Sequence, residues 1–253
     1  KSIVECLPSS IKCSLFVDDF LICYRSKNMN STERLLQLCL NNIQKWADEN
    51  GFQFSKTKTV CMHFSQRHIL NTDSELKIDG VPIPVVEEYK FLGLIFDQKL
   101  NFISHIKYLK DRCMKAMNLL KVVAHKDWGA DCATLLKLYR SHIRSKLDYG
   151  CIVYGSARQS YLQSLDRVQT AALCICLGAF RTSPVPSLHV EANEVPVSLR
   201  GEKLSLQYIV KLRSNPSNPT YNYVFDPTFP LLFEARPSVL PSIRIGMKQQ
   251  LYD

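Results

Sequence analysis

The stretch that decides the fold is Ser14-Leu15-Phe16-Val17-Asp18-Asp19-Phe20-Leu21-Ile22-Cys23-Tyr24, in which two acidic residues lie side by side within an apolar run. The aromatic and aliphatic residues around the pair predict two short strands, Cys13–Val17 and Phe20–Tyr24, that meet at a tight turn. Such a hairpin presents both carboxylates at one tip. Because a buried carboxylate is costly unless something binds it, the tip is either a plain turn or a binding site.

The composition of the 253-residue chain allows one large domain or two smaller ones. No apolar run reaches the length of about 18 residues that a membrane span needs. The ten cysteines are scattered and have neither disulfide nor zinc spacing, which favours reduced thiols in an intracellular protein. The chain begins with Lys1 and shows no signal pattern, which indicates an internal piece of a longer polypeptide.

The net charge of +9 comes entirely from the later part of the chain. Residues 1–100 hold 12 Lys and Arg against 12 Asp and Glu, whereas residues 101–253 hold 20 against 11. A solvated helix face is the alternative for each single charge, but an excess this one-sided favours a polyanionic partner. The densest basic segment contains Lys107, Lys110, Arg112, Lys115, Lys121, Lys126, Lys137, Arg140, Arg144 and Lys146.

The pattern up to residue 100 predicts short strands and one helix. Apolar spacing predicts a helix over Thr32–Asn50, capped by Asn30 or Ser31 and ended by Gly51. Alternating or apolar runs predict strands at 52–54 and 60–64, separated by a basic turn.

Two further strand signals and a run of helical signals follow. Asp79-Gly80 predicts a second hairpin, and Tyr89–Asp97 predicts one more strand. From Ser104 onward the period becomes helical, and four helices are expected near 106–120, 135–147, 162–175 and 199–212. After Ser214 the chain is rich in proline, which predicts an extended tail. The chain is therefore expected to belong to the α+β class.

Taken in their order along the chain, the hairpin, helix, turn and strand motifs described above resemble those of reverse transcriptases of the non-LTR, or LINE-type, retrotransposons. Phe16-Val17-Asp18-Asp19 resembles the family's motif C, and Tyr89-Lys90-Phe91-Leu92-Gly93 resembles motif E. Residues 51–64 resemble motif D, with Lys58-Thr59 at its Lys-Thr position. Residues 147–150, 165–169 and 178–182 resemble the stretch that follows in arthropod-type elements. The resemblance covers roughly residues 13–213, and several motifs in order are more specific than any one alone.

The resemblance implies a partial right-hand polymerase palm over residues 1–100, in which antiparallel hairpins pack with a helix. An α-helical thumb and connection over 101–213 and a proline-rich irregular tail over 214–253 would follow. Motifs A and B should precede motif C by a long stretch, yet only 17 residues precede Asp18. The hairpin would then lack its partner strands, which predicts an exposed edge and poor solubility.

The chemistry that the resemblance implies is nucleotidyl transfer onto a primer 3′-hydroxyl by two divalent ions, about 4 Å apart. Mg2+ prefers oxygen ligands, so Asp18 is expected as the firmer metal ligand and Asp19 as the weaker one. The third carboxylate would come from the absent upstream part. The chain alone is therefore expected to bind nucleic acid weakly and to polymerise little or nothing.

Further roles are carried over by resemblance. Lys58 would lie near the triphosphate and act as a general acid toward pyrophosphate, the alternative being a surface lysine on a turn. Phe91, Leu92 and Gly93 would form the primer grip, with a core strand as the alternative. The basic helices would hold the phosphates of the template–primer duplex. Their candidate nucleic-acid-binding residues are Lys107, Lys110, Lys115, Lys121, Arg140 and Arg144.

The partners that the resemblance implies are an RNA template, a DNA primer, deoxynucleoside triphosphates and the upstream part of the same polyprotein, with no membrane. The location that it implies is the nucleus or a cytoplasmic ribonucleoprotein. Two alternatives remain open. One is a non-catalytic, nucleic-acid-binding relic of a truncated element. The other is a different right-hand polymerase, such as an intron-encoded or RNA-virus enzyme.

Overall fold

The structure is a computed structural model that describes residues 2–26, 28–65, 75–125 and 127–225. The chain divides after Tyr89 into two compact units, called unit 1 and unit 2 below. Helices and small antiparallel hairpins occur together, which confirms the α+β class at this level. Lys126 and residues 226–253, most of the predicted tail, lie outside the described residues.

Unit 1 opens with a 3-10 turn at Ile3–Cys6 and the predicted hairpin, formed by strands β1 (Lys12–Phe16) and β2 (Asp19–Cys23). The two strands pair in antiparallel register, Phe16 opposite Asp19. Within the described residues this sheet has no third strand.

Helix α1 (Met29–Asn50) begins earlier than predicted. Its N-cap is Asn28, whose side-chain oxygen accepts a hydrogen bond from the Ser31 amide at 3.4 Å, so the prediction of Asn30 or Ser31 is wrong. Asn28 is extended and can leave the helix while still holding its first turn. Gly51 ends the helix in the left-handed region, φ 73°, as predicted.

The core of unit 1 lies between α1 and the second hairpin. Leu40 packs with Leu76, Ile78 and Ile83, all at most 8% exposed. The hairpin consists of β3 (Lys77–Ile78) and β4 (Val81–Pro82). Its turn residues Asp79 and Gly80 have φ values of 48° and 72°, which confirms the Asp-Gly turn.

The strands predicted at 52–54 and 60–64 do not form. A single parallel bridge between Cys61 and Val85 is present instead. The ring of Phe52 stacks on Trp46 of α1 at 5.3 Å, and its amide donates to the Ala47 carbonyl. These contacts turn the chain back onto the end of α1, so Phe52 packs on the helix rather than forming part of a sheet.

The strand predicted over Tyr89–Asp97 is a hairpin. Its strands are β5 (Glu88–Phe91) and β6 (Leu94–Asp97). Leu92 and Gly93 both have positive φ, 46° and 82°, and two such residues in succession reverse the chain. The Gly93 position therefore serves a tight turn.

Unit 2 is built mainly of helices, and the four predicted ones are confirmed. The helices are α2 (Ile103–Val123), α3 (Cys132–Tyr139), the π turn (Arg140–Arg144), α4 (Ser145–Asp148), α5 (Cys151–Tyr154), α6 (Gln159–Leu177), α7 (Val185–Glu191), α8 (Val197–Arg213) and α9 (Tyr221–Phe225). The predicted helices correspond to α2, to α3 and α4 joined through the π turn, to α6 and to α8.

The core of unit 2 lies between α2, α3 and α6. Leu109, Cys113 and Met117 of α2 pack in one cluster with Leu165 and Leu173 of α6, all at most 5% exposed. The spacing of these residues is that of one helical face. In the described ranges, no helix is both long and apolar enough to cross a membrane.

Candidate functional site

The Asp-Asp tip is a two-residue turn made by Val17 and Asp18 between the paired residues Phe16 and Asp19. Val17 has a φ of 55° and is 82% exposed. A β-branched residue adopts positive φ only under strain, which a tertiary context must maintain. Both aspartates are exposed, so each carboxylate is open to a ligand.

The register of the hairpin puts its two faces in different surroundings. Phe20 and Ile22 are half-buried, and Ile22 packs against the core of unit 1. The opposite face carries Asp19 together with Phe16 and Leu21, which are 59% and 41% exposed. Since partners in the ladder share a face, Asp19 lies beside exposed apolar surface rather than in the core.

The two carboxylates at the tip are candidate metal ligands. Asp18 and Asp19 supply hard oxygen ligands of the kind that Mg2+ prefers. Across the residues that the structure describes, no group of three or more His, Cys, Asp or Glu side chains is placed to hold a metal ion. In the described part of the chain, the pair therefore does not form a complete metal centre by itself.

Lys58 lies in the turn over residues 56–58 of unit 1 and is exposed. The turn is closed by hydrogen bonds from the Lys58 and Thr59 amides to the Ser55 carbonyl, at 3.2 and 3.0 Å. The neighbouring Lys56 forms an ion pair with Asp79. Among the described residues the Lys58 ammonium has no ion-pair or hydrogen-bond partner. The two lysines thus differ, and Lys58 is the one left available to a ligand.

The predicted primer-grip residues Phe91, Leu92 and Gly93 lie at the tip of the β5–β6 hairpin, held by Tyr149. The Tyr149 hydroxyl donates a hydrogen bond to the Leu92 carbonyl at 2.7 Å. A Cβ at Gly93 would lie 3.0 Å from the Tyr149 ring, so glycine permits this approach. Tyr149 belongs to the stretch 147–150 that the sequence singled out, and the structure gives that stretch a contact with the turn.

The basic residues predicted to bind nucleic acid separate into two groups. Arg140 and Arg144, in the π turn, bind the carboxylate of Glu194, whose side chain is only 2% exposed. The hydrogen bonds are 2.6 Å from Arg140 Nε, and 2.9 and 3.0 Å from Arg144 Nη1. Arg144 also lies 4.0 Å from Asp148. The buried carboxylate of Glu194 thus ties the π turn to the loop between α7 and α8, a role that the sequence pattern did not reveal.

The second group remains in solvent and consists of the lysines of α2. Each of them is exposed. They provide positive charge without buried counter-charges, which is the arrangement that attracts a polyanion. They are Lys107, Lys110, Lys115 and Lys121.

A further cationic cluster joins β5 to α2. Lys90 Nζ donates a hydrogen bond to the Tyr108 hydroxyl at 2.8 Å and lies 4.7 Å from the ring centroid. The guanidinium carbon of Arg112 lies 5.8 Å from the same centroid. The pKa of the Tyr108 phenol is lowered, first by the hydrogen bond from Lys90 and further by both positive charges. No sequence motif singled out Tyr108, although its spacing of four from Arg112 puts the two on one helix face.

Comparison with known families gives a match over the first part of the chain. Residues 1–96 match the sequence model of the family described as "Reverse transcriptase (RNA-dependent DNA polymerase)". The match includes the Asp-Asp tip, Lys58 and the Leu92-Gly93 turn. No solved structure matches the chain.

Curated relatives extend the similarity into the helical part. The Pol polyprotein of the R1 element of Bradysia coprophila is 26% identical over 76% of this chain and 19% of its own length. An R1 Pol polyprotein of Nasonia vitripennis is 24% identical over 73% of the chain and 56% of its own length. The polymerase of the jockey element of Drosophila melanogaster is 24% identical over 85% and 23%. The chain thus spans between a fifth and somewhat over half of these relatives.

Proposed function

We propose that this chain is part of an RNA-directed DNA polymerase of the non-LTR retrotransposon type, which extends a primer 3′-hydroxyl on an RNA template. Support comes from the match of residues 1–96 to the reverse transcriptase family model and from the similarity to retrotransposon polymerases. The observation that carries the proposal is the exposed Asp18-Asp19 tip, which falls within the matched region. The relatives named above are retrotransposon proteins, which favours this reading over an intron-encoded or viral polymerase.

In this proposal residues 1–100 are part of the palm, 101–213 the thumb and connection, and 214–253 a tail. Asp18 is the firmer and Asp19 the weaker ligand of the catalytic ions, for which Mg2+ is the expected metal. Since no group of three or more His, Cys, Asp or Glu side chains among the described residues is placed to hold a metal, the proposal needs a further carboxylate from outside them. The upstream part of the same polyprotein is the proposed source.

Lys58 and the Leu92-Gly93 turn have supporting roles in the proposal. An unpaired ammonium such as that of Lys58 can give a proton to a leaving pyrophosphate. The turn is held by Tyr149, and the exposed backbone of Gly93 is a surface along which a primer strand can run. The α2 lysines then bind duplex phosphates without reading sequence. Deoxynucleoside triphosphates are the second substrate.

Primer extension by the parent polyprotein on an RNA template tests the proposal. Asp18→Asn is expected to remove detectable extension, and Asp19→Asn to reduce it. The matched control is Glu49→Gln, an exposed carboxylate at the end of α1, which should leave extension unchanged. Extension that persists in both aspartate variants would disprove the assignment.

The 253-residue chain by itself gives a second, independent result. It is expected to produce no extension product with Mg2+, because its carboxylate set is incomplete. Robust extension by this chain alone would refute the proposed need for an upstream carboxylate. If the parent polyprotein also fails to extend while nucleic-acid binding survives Asp18→Asn with Asp19→Asn, the non-catalytic relic would be the correct reading.

A further inference from the structure

The cluster of Lys90, Tyr108 and Arg112, here called the phenol cluster, brings two cations to one aromatic ring in unit 2. Lys90 lies on β5, two residues before Leu92, and the other two residues lie on α2. The ammonium both donates to the hydroxyl and lies over the ring, while the guanidinium approaches the ring at the outer limit of a cation–π contact. Lys90 and Arg112 are exposed, and Tyr108 is half-buried.

The two cations of the phenol cluster have no ion-pair partner among the described residues, although the exposed Asp111 directly precedes Arg112 on α2. Neither Lys90 nor Arg112 forms an ion pair with a carboxylate in the part of the chain that the structure describes, in contrast to Arg140, Arg144 and Arg200, which all do. A neutral phenol satisfies one donor but carries no full negative charge. Two cations held near one ring repel each other, so an anion bound between them is stabilised.

The donor set of the phenol cluster matches a phosphate. An ammonium offers a compact charge with three donors, a guanidinium offers a planar fork, and the hydroxyl of Tyr108 can donate once Lys90 turns to the anion. Lys115 lies seven residues after Tyr108 and three after Arg112, so it continues the same face of α2. A row of cations along a helix fits a chain of phosphates better than a single small anion.

We propose that the phenol cluster, extended by Lys115, is a binding site for consecutive backbone phosphates of a nucleic-acid strand. This inference rests on the proposed function and deepens it, because it specifies where on unit 2 the strand runs. By the helical period Lys107 and Lys110 lie on a different flank of α2 from Arg112 and Lys115. The two flanks therefore contact separate stretches of backbone.

The test measures how salt weakens binding of a fluorescently labelled DNA duplex to the 253-residue chain. Each phosphate contact contributes about −0.9 to the slope of log affinity against log salt. Lys90→Met and Arg112→Met should each reduce the slope by about 1, so a fourfold rise in salt weakens each variant about 3.5-fold less than the wild type. The control Lys203→Ala, an exposed lysine on α8, should keep the wild-type slope.

A second measurement shows whether the phenol cluster exists in solution. The tyrosinate absorbance difference between the wild type and Tyr108→Phe reports the titration of this phenol alone. Lys90→Met should move that titration to higher pH, because it removes the hydrogen bond and charge that lower the pKa of Tyr108. An unchanged titration would show that the phenol cluster does not form and would overturn the proposal.

The remaining outcomes separate the sources of phosphate and the two proposals. If a deoxynucleoside triphosphate displaces the duplex from the wild type but not from Lys90→Met, the site takes a triphosphate and the backbone assignment is wrong. Unchanged slopes in both methionine variants, or no duplex binding at all, also overturn it. None of these results bears on the aspartate variants of the parent polyprotein, whose primer extension decides the proposed function separately.

Discussion

Replacing Glu194 by Gln is expected to destabilise unit 2 strongly. The carboxylate is 2% exposed and accepts three charge-assisted hydrogen bonds, one from Arg140 and two from Arg144. Glutamine keeps the size of the side chain but removes the negative charge. Its amide nitrogen also brings donors toward guanidinium groups that can only donate.

The magnitude follows from burial. Breaking a buried ion pair by removing one partner costs about 3 to 5 kcal/mol. The side chains of Arg140 and Arg144 are 36% and 29% exposed, so their charges can recover part of their hydration. We therefore expect a loss near the lower end, about 3 kcal/mol in the free energy of unfolding. For a domain of this size the midpoint of thermal unfolding should fall by about 6 to 12 °C.

Urea unfolding of the 253-residue chain, followed by far-ultraviolet circular dichroism, measures this loss. Hydrogen exchange with mass spectrometry then locates it, because peptides from α3 to α8 should lose protection while those of α1 keep theirs. The matched control is Glu191→Gln, an exposed carboxylate at the end of α7, which should change stability by no more than about 0.5 kcal/mol. A Glu194→Gln variant as stable as this control would refute the reasoning.

Three smaller perturbations test other contacts. Val17→Gly should relieve the strain of a positive φ at the tip and raise the free energy of unfolding of unit 1 by about 1 kcal/mol in urea. The control is Leu15→Gly in the extended strand β1, which should lower the free energy of unfolding. Tyr149→Phe removes the hydrogen bond to the Leu92 carbonyl and should cost about 1 kcal/mol, seen as faster amide exchange in the β5–β6 hairpin; unchanged exchange would contradict it. Burial and the charge of Lys90 lower the pKa of His105, so the unfolded chain binds the proton more readily than the folded chain. The free energy of unfolding should therefore fall as the pH drops below about 6.5, the ordinary pKa of histidine. His105→Asn should weaken that pH dependence.

Much of the fold could be predicted because strands, turns and helical faces follow from the local spacing of residue types. The hairpin around Asp18-Asp19, the turn at Asp79-Gly80 and the helical faces of α2 and α6 all depend on neighbours within a few residues. The errors have a common cause. At Phe52 an apolar residue packs on a helix end, and at Leu92-Gly93 a pair of positive φ angles reverses the chain. A hydrophobic pattern does not distinguish these arrangements from a strand.

Some features of the candidate site could likewise be predicted from the sequence, whereas others depend on the tertiary structure. Sequence alone predicted that two carboxylates meet at one hairpin tip, that basic charge is concentrated after residue 100, and that the motifs resemble in their order those of a reverse transcriptase. Only the tertiary structure decided which basic residues are available. Arg140 and Arg144 are held by Glu194, whereas Lys90 and Arg112 meet at Tyr108 without an acid. The physical reason is distance along the chain: residues 50 apart become partners through packing, which residue type and spacing do not encode.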